Sequence, residues 1–234
     1  MRFGACALGL AVILAAGCGG GNTEPTPTAN TSTSTSARQP RDPGLDAVTR
    51  MIRATRTRDR EAFWSLLSAP AQRRLGPTLA GFRRTGAREL ERSLRYFRRN
   101  GFREVVSERI TGKFGVVAIA SGRRVFAAPL RLERGSWKLD LGRGPLTIRI
   151  LGPDVGSVSR VQQIAFEIRG ARGGATAILY ADGVTLRSRE VVGGTAATVY
   201  ANLESPLARG PHTAVAFATH GDASAAKAWS FVAR

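Results

Sequence analysis

The sequence predicts an α+β segment followed by an all-β sandwich, with an apolar leader and a polar tether in front. Three observations lead there. Between residues 42 and 101 apolar side chains recur at helical spacing. Between residues 102 and 142 the period drops to two. From residue 146 to the end, seven short alternating runs are separated by Gly, Pro, Asp and Ser turns. Helices first and consecutive strands second imply helices on one face of a curved antiparallel sheet. Evenly spaced short strands imply a sandwich.

The leader is read first because it sets the compartment. Arg2 supplies a positive n-region, and Phe3 to Ala16 is an apolar run too short to span a bilayer as a helix. Ala15, Ala16 and Gly17 then precede Cys18, and glycines 19–21 follow. This stretch resembles a bacterial lipobox, which implies diacylglycerol on Cys18 and removal of residues 1–17. Ala15 stands where the commonest pattern has Leu, so ordinary secretion with cleavage nearby is the alternative. Cys6 would leave with the leader, so the mature chain would hold one cysteine, acylated. Two or three acyl chains together anchor a protein stably. The implied address is the extracytoplasmic face of a bacterial cell membrane.

Residues 18–43 form the tether. The stretch NTEPTPTANTSTSTSARQPR has no apolar period and cannot bury a core. As a coil of this length it spans about 25–30 Å.

The 234-residue chain carries a net charge of +18, and only Lys113, Lys138 and Lys227 are lysines. Residues 38–143 hold 25 basic and 10 acidic side chains, and residues 144–234 hold 9 and 6. This asymmetry, with the change of pattern, predicts two separable domains, 44–143 and 144–234, meeting near Gly142 to Pro145.

In the first domain, Asp42-Pro43 reads as a helix start, and Leu45, Val48, Met51 and Ile52 carry the helical period. Asp59 offers an N-cap for a second helix with Phe63, Trp64, Leu66 and Leu67. Pro70 and Pro77 punctuate the next stretch. Ala87 to Arg99 reads as a third helix with Leu90, Leu94 and Phe97 on one face, closed by Asn100-Gly101. FREVVSERI, KFGVVAIAS, RVFAAPLRLE and SWKLDLG are four strands, turned at Thr111-Gly112 and Arg134-Gly135.

The opening AVTRMIRATRTRDREAFWSLLS resembles the first helix pair of the nuclear-transport-factor-2-like superfamily, which shares its cone-shaped fold with ketosteroid isomerase. The ending PLRLERGSWKLDLG resembles that superfamily's terminal hairpin, with Trp137 and Leu139 pointing into the cone. The resemblance implies a cone interior that includes Trp64, Phe97 and Trp137. It is nearly silent on function, since the superfamily contains isomerases, hydrolases and non-enzymes.

An isomerase of this class needs a carboxylate and hydrogen-bond donors in an apolar pocket. Asp140, Glu108 and Tyr96 are the residues of the right type, and none lies in a family motif. The alternation places Asp140 away from Trp137 and Leu139, as a solvated or hairpin residue, and makes Tyr96 a helix-flank packing residue. No catalytic residue is assigned, and no cofactor or metal is expected.

Arg88, Arg92, Arg95 and Arg99 follow i, i+4, i+7 and i+11 opposite Leu90, Leu94 and Phe97. This stripe is either a solvated face or a patch for anionic lipid headgroups or anionic wall polymer. Glu89 and Glu91 are spaced to pair with parts of it. Nucleic acid is excluded as a partner by the export signal and by the lack of interleaved aromatic and basic residues.

In the second domain, Asp182-Gly183 between two alternating runs predicts a type I′ hairpin. The run LARGPHTAVAFATHGDASAAKAWSFV resembles the closing strands of bacterial immunoglobulin-like domains, through Gly210, His212, Thr213, Trp229 and Phe231. The resemblance implies a spacer or docking module, with no inter-sheet cysteine pair. His212 and His220 lack a third metal ligand, so His212 reads as a turn-stabilising residue and His220 as a loop residue. Gly170 to Gly174 lacks the phosphate-loop Lys-Ser/Thr and reads as a turn.

The function expected is a non-catalytic, membrane-anchored binding or scaffolding module. The alternative is a small apolar-ligand carrier or a cone-pocket enzyme. An open cavity would favour that alternative, and one plugged by Trp64, Phe97 and Trp137 would favour the scaffold.

Overall fold

The Asp42 carboxylate accepts the Gly44 N–H at 2.8 Å and so caps α1 (Pro43–Thr57), with Pro43 presetting the first turn. Asp59 caps α2 (Arg60–Ser65) through the Ala62 N–H at 2.9 Å. Both caps are those the sequence predicts. The computed structural model describes residues 42–172 and 174–234, which belong to one compact unit, Gln39–Arg234. The leader, Cys18 and the tether up to residue 41 lie outside the described residues. Among the described residues, no helix is long and apolar enough to cross a membrane.

Two short helices were not expected: α3 (Ala69–Leu75) and α4 (Leu79–Arg84). Their caps are Ser68 and Thr78, and Pro70 sits in the first turn of α3, where its missing N–H costs nothing. Pro70 thus starts an element rather than interrupting one, and Pro77 stands just before the cap of α4. The long helix α5 (Gly86–Asn100) follows at once. A Cβ on Gly86 would come within 2.3 Å of the Leu75 carbonyl oxygen, so glycine is what lets α5 start against α3.

The four expected strands are β1 (Arg103–Thr111), β2 (Phe114–Ser121), β3 (Arg124–Glu133) and β4 (Ser136–Leu139). They form an antiparallel meander in sequence order. Arg134 and Gly135 both take positive φ at the last hairpin. Every helix lies before this sheet in the chain, and the helices pack on one of its faces. There Val117, Ile119, Leu130 and Leu139 join Met51, Phe63, Phe82 and Leu94 in a first core.

Among the described residues the second half has nine strands: β5 (Thr147–Gly152), β6 (Gly156–Val158), β7 (Gln163–Arg169), β8 (Thr176–Ala181), β9 (Val184–Leu186), β10 (Arg189–Gly193), β11 (Ala196–Asn202), β12 (Gly210–His220) and β13 (Ala223–Ala233). The sequence predicts seven runs. The difference is the short β6 and the break at residues 187 and 188, which divides one run into β9 and β10. Asp182 and Gly183 join β8 to β9 with positive φ at both, the expected type I′ geometry.

One sheet has the order β10-β11-β7-β5 and the other β6-β13-β12-β8-β9. Lettered from β5, with β6 and β9 as extra edge strands, these are the D-E-B-A and G-F-C sheets of an immunoglobulin-like sandwich. Phe166, Ile168, Val199, Trp229 and Phe231 fill the second core, between the two sheets.

A third core lies between the halves. Val106, Phe114, Val116 and Ala118 from the meander meet Tyr180, Val215 and Phe217 from the five-stranded sheet. The order of layers is therefore helices, meander, five-stranded sheet, four-stranded sheet. The two inner sheets are covered on both faces. That is why β2 is buried along nearly its whole length, and β12 from Thr213 to Thr219, instead of at alternate positions.

Candidate functional site

Polar contacts cross the third core at both ends. Asp140, just after β4, has a side chain only 1% exposed. One carboxylate oxygen accepts from Ser68 Oγ and from an Arg74 guanidinium nitrogen, both at 2.7 Å. The other accepts from Ser224 Oγ at 2.8 Å and from Arg131 at 3.3 Å. Arg131 also donates to the Asp222 carbonyl and lies over the Phe114 ring, 4.9 Å from its centroid. Burial pushes the Asp140 carboxyl up, but the bonds from Ser68, Arg74 and Ser224 and the Arg74 charge hold it below the usual carboxylate range. At the opposite end Ser230 Oγ donates to the Arg123 carbonyl at 2.7 Å. The Tyr180 hydroxyl also crosses the interface, donating to Glu108 at 2.9 Å.

This corrects the expectation for Asp140. It is not on a solvated side, because the face that alternation assigns to solvent is covered by the sandwich. With each oxygen already taking two donors, it is a tie between elements and a poor general base. Glu108 is likewise engaged across the interface. Tyr96 is 40% exposed and stacks edge-on against Phe97, as a helix-flank residue would.

Phe97 is buried in the first core, edge-on to Phe126 at 6.4 Å. Trp64 and Trp137 are half-buried against the same core, and Trp64 donates its indole N–H to the Gly76 carbonyl at 3.3 Å. All three residues thus share one packed interior. Around them Met51, Phe63, Leu67, Leu94 and Leu139 fill the space between helices and sheet. The groove of about 590 Å³ between α1 and α2, bordered by Arg50, Arg53 and Asp59, lies at the surface.

On α5 the four stripe residues Arg88, Arg92, Arg95 and Arg99 are all exposed, and Leu90, Leu94 and Phe97 are buried, as the helical period requires. The expected pairing of Glu91 with this stripe does not occur. Glu91 faces α2 and takes the Arg60 guanidinium at 3.0 Å. The Glu89 side chain lies outside the described residues. The structure adds a residue that helix periodicity could not find. Arg124, at the start of β3, stands across a groove of about 390 Å³ from Arg92, Arg95 and Arg99, its guanidinium 6.0 Å from the Tyr96 ring centroid.

His212 Nδ1 is 2.7 Å from Asp182 Oδ2, and Nε2 is 2.7 Å from the Ala208 carbonyl. With acceptors at both nitrogens, only the imidazolium can donate to both. Burial lowers its pKa, but Asp182 and the Ala208 carbonyl raise it further, to a net upward shift. His220 Nδ1 lies 2.8 Å from the Gly174 carbonyl. Both histidines lie in β12: His212 braces the β8–β9 turn through Asp182, as expected, and His220 is the last strand residue rather than a loop residue. Among the described residues, no group of three or more His, Cys, Asp or Glu is placed to hold a metal ion.

No protein family matches the chain, and no curated protein does. Similar solved structures include the methionine-rich copper resistance protein PcoC of Escherichia coli, at 13% identity and a TM-score of 0.26, covering 34% of this chain and 88% of that one. The M1 domain of titin matches at 10% identity and 0.29, covering 39% and 96%. Titin M4 matches at 16% and 0.27, covering 37% and 95%.

Proposed function

We propose that this chain is a non-catalytic lipoprotein of the bacterial cell envelope. Acylated Cys18 holds it at the extracytoplasmic face of the membrane, and the folded unit acts as a binding or scaffolding module. Its α+β half is assigned to the cone class, on the helix pair, the meander and the inward Trp137 and Leu139. The partner is an anionic envelope component met by the α5 stripe.

One observation carries this reading. Arg88, Arg92, Arg95 and Arg99 stand exposed on a single face, and no described carboxylate pairs with any of them. Neighbouring guanidinium groups without counter-charges repel one another, and an anionic partner relieves that repulsion. The filled interior and the saturated Asp140 weigh against the pocket-enzyme alternative.

The test uses the soluble segment 39–234 and vesicles of phosphatidylglycerol and phosphatidylcholine. Binding is expected in low salt, with release as the Debye length falls from about 10 Å at 0.1 M to about 3 Å at 1 M. Changing all four arginines to Gln keeps helix propensity and removes about 1 kcal/mol of attraction per residue. The affinity is then expected to drop by roughly two to three orders of magnitude. Unchanged binding of both vesicles and a soluble polyanion by this folded variant would return the stripe to a solvated face.

A further inference from the structure

We propose that the α5 stripe is one half of a longer site, in which an extended polyanion with repeating phosphate groups lies along two grooves that meet at Arg124. This rests on the reading of the stripe as an anion-binding face, and it names the ligand class.

The first groove has Arg92, Arg95 and Arg99 on its helical wall and Arg124 on its sheet wall. The second, about 510 Å³, follows the seam between the β2–β3 turn and the sandwich. Arg103, Arg123 and Arg124 border it on one side, and Pro211, Ser230 and Phe231 on the other. The grooves adjoin at Arg124, which lines both. The Tyr96 hydroxyl of the first also lies against Gly122 of the second, where an added Cβ would meet it at 3.5 Å.

Six exposed arginines from α5, β1, the β2–β3 turn and β3 thus border one depression. Among the described residues no carboxylate lines either groove, and none pairs with any of the six. The acidic side chain nearest the second groove's His212 is Asp182, which is already held by that imidazole and by the Thr213 N–H at 2.8 Å.

Ligand class follows from the distribution of charge. The planar guanidinium fork matches phosphate oxygens, so Arg rather than Lys suits this chemistry. A single phosphate occupies one or two forks and leaves the rest repelling one another. A bilayer presents a broad surface to the protruding α5 face and does not enter the recessed seam. A flexible chain of phosphates satisfies both grooves at once.

The experiment uses segment 39–234, fluorescein-labelled long-chain polyphosphate, labelled tripolyphosphate and phosphatidylglycerol–phosphatidylcholine vesicles. One variant carries Arg92→Gln, Arg95→Gln and Arg99→Gln. A second carries Arg103→Gln and Arg123→Gln, both exposed, and circular dichroism and thermal unfolding confirm the fold of each. Long polyphosphate is expected to bind at least about tenfold more tightly than tripolyphosphate, and each variant to weaken it by at least about tenfold. The slope of log affinity against log salt should fall by about 0.7 for each phosphate contact removed. The seam variant should leave vesicle binding unchanged. Polyphosphate binding that survives the seam variant overturns the two-groove site while keeping the stripe. Tripolyphosphate binding as tightly as the long chain overturns the extended ligand. Loss of vesicle binding alone in the seam variant assigns the grooves to a lipid surface instead. Indifference of both long polyphosphate and the vesicles to the α5 variant overturns the underlying reading.

Discussion

The Ser224 hydroxyl, at the start of the last strand, donates at 2.8 Å to the Asp140 carboxylate, 84 residues earlier in the chain. With Ser68, Arg74 and Arg131 it completes a set of four donors drawn from both halves of the molecule. A carboxylate this deeply buried is tolerated only when its charge is countered and both oxygens are occupied. The donors meet that condition, and as a result the linker after β4 is tied to the sandwich.

Removing Asp140 should therefore cost more than one hydrogen bond. Asp140→Ala leaves Arg131 buried without its counter-charge, and urea unfolding should report a loss of about 3–5 kcal/mol. The pH profile has a defined sign. The folded-state pKa of Asp140 is lowered, so its contribution is present above the ordinary carboxylate value and is lost as pH falls through the folded-state value. The stability gap between the parent and Asp140→Asn should close in that acid window. A gap that stays constant down to pH 2 would show that the carboxylate charge contributes nothing.

The third core makes a separate prediction. Phe217 is fully buried on the side of β12 that faces the meander. Phe217→Ala should cost about 3–5 kcal/mol and lower the melting of both halves together. Fragments 42–143 and 144–234, made separately, should each melt below the joined chain, because each exposes its side of this core. If Phe217→Ala lowers the melting of the sandwich alone, the halves are energetically independent.

Anchoring is tested outside the described residues. Cys18→Ala should move the protein from the membrane to the soluble fraction and abolish the mass increment of an acyl-modified N-terminus. A Cys18→Ala protein that stays membrane-bound would point to ordinary interaction with the surface rather than a lipid anchor.

Much of the fold was legible because its signals are local. Asp42, Asp59 and the pair Asp182-Gly183 act within a few residues, and each does what the sequence predicts. The stripe was legible for the same reason: in a helix, the spacing of Leu90, Leu94 and Phe97 places the intervening arginines outward. The helices α3 and α4 were missed because Pro70 and Pro77 were read as punctuation, although Pro70 sits in the first turn of α3, where proline is permissive. The burial of Asp140 was missed because alternation divides a strand into two faces without saying what covers the second. A signal was present in the stretches FGVVAIAS and AVAFAT, which are apolar at nearly every position, the mark of a strand covered on both sides.

The sequence by itself determined the order and type of the main elements, the sandwich turns and the outward stripe on α5, since caps, turns and period act over a few bonds. Only the tertiary structure decided that the outer face of the meander meets the sandwich, that Asp140 is enclosed by four donors, and that Arg124 and Tyr96 join two basic grooves. Those relations are set when apolar faces distant in the chain exclude water together, and the residues they bring together carry no mark of it in their own neighbourhoods.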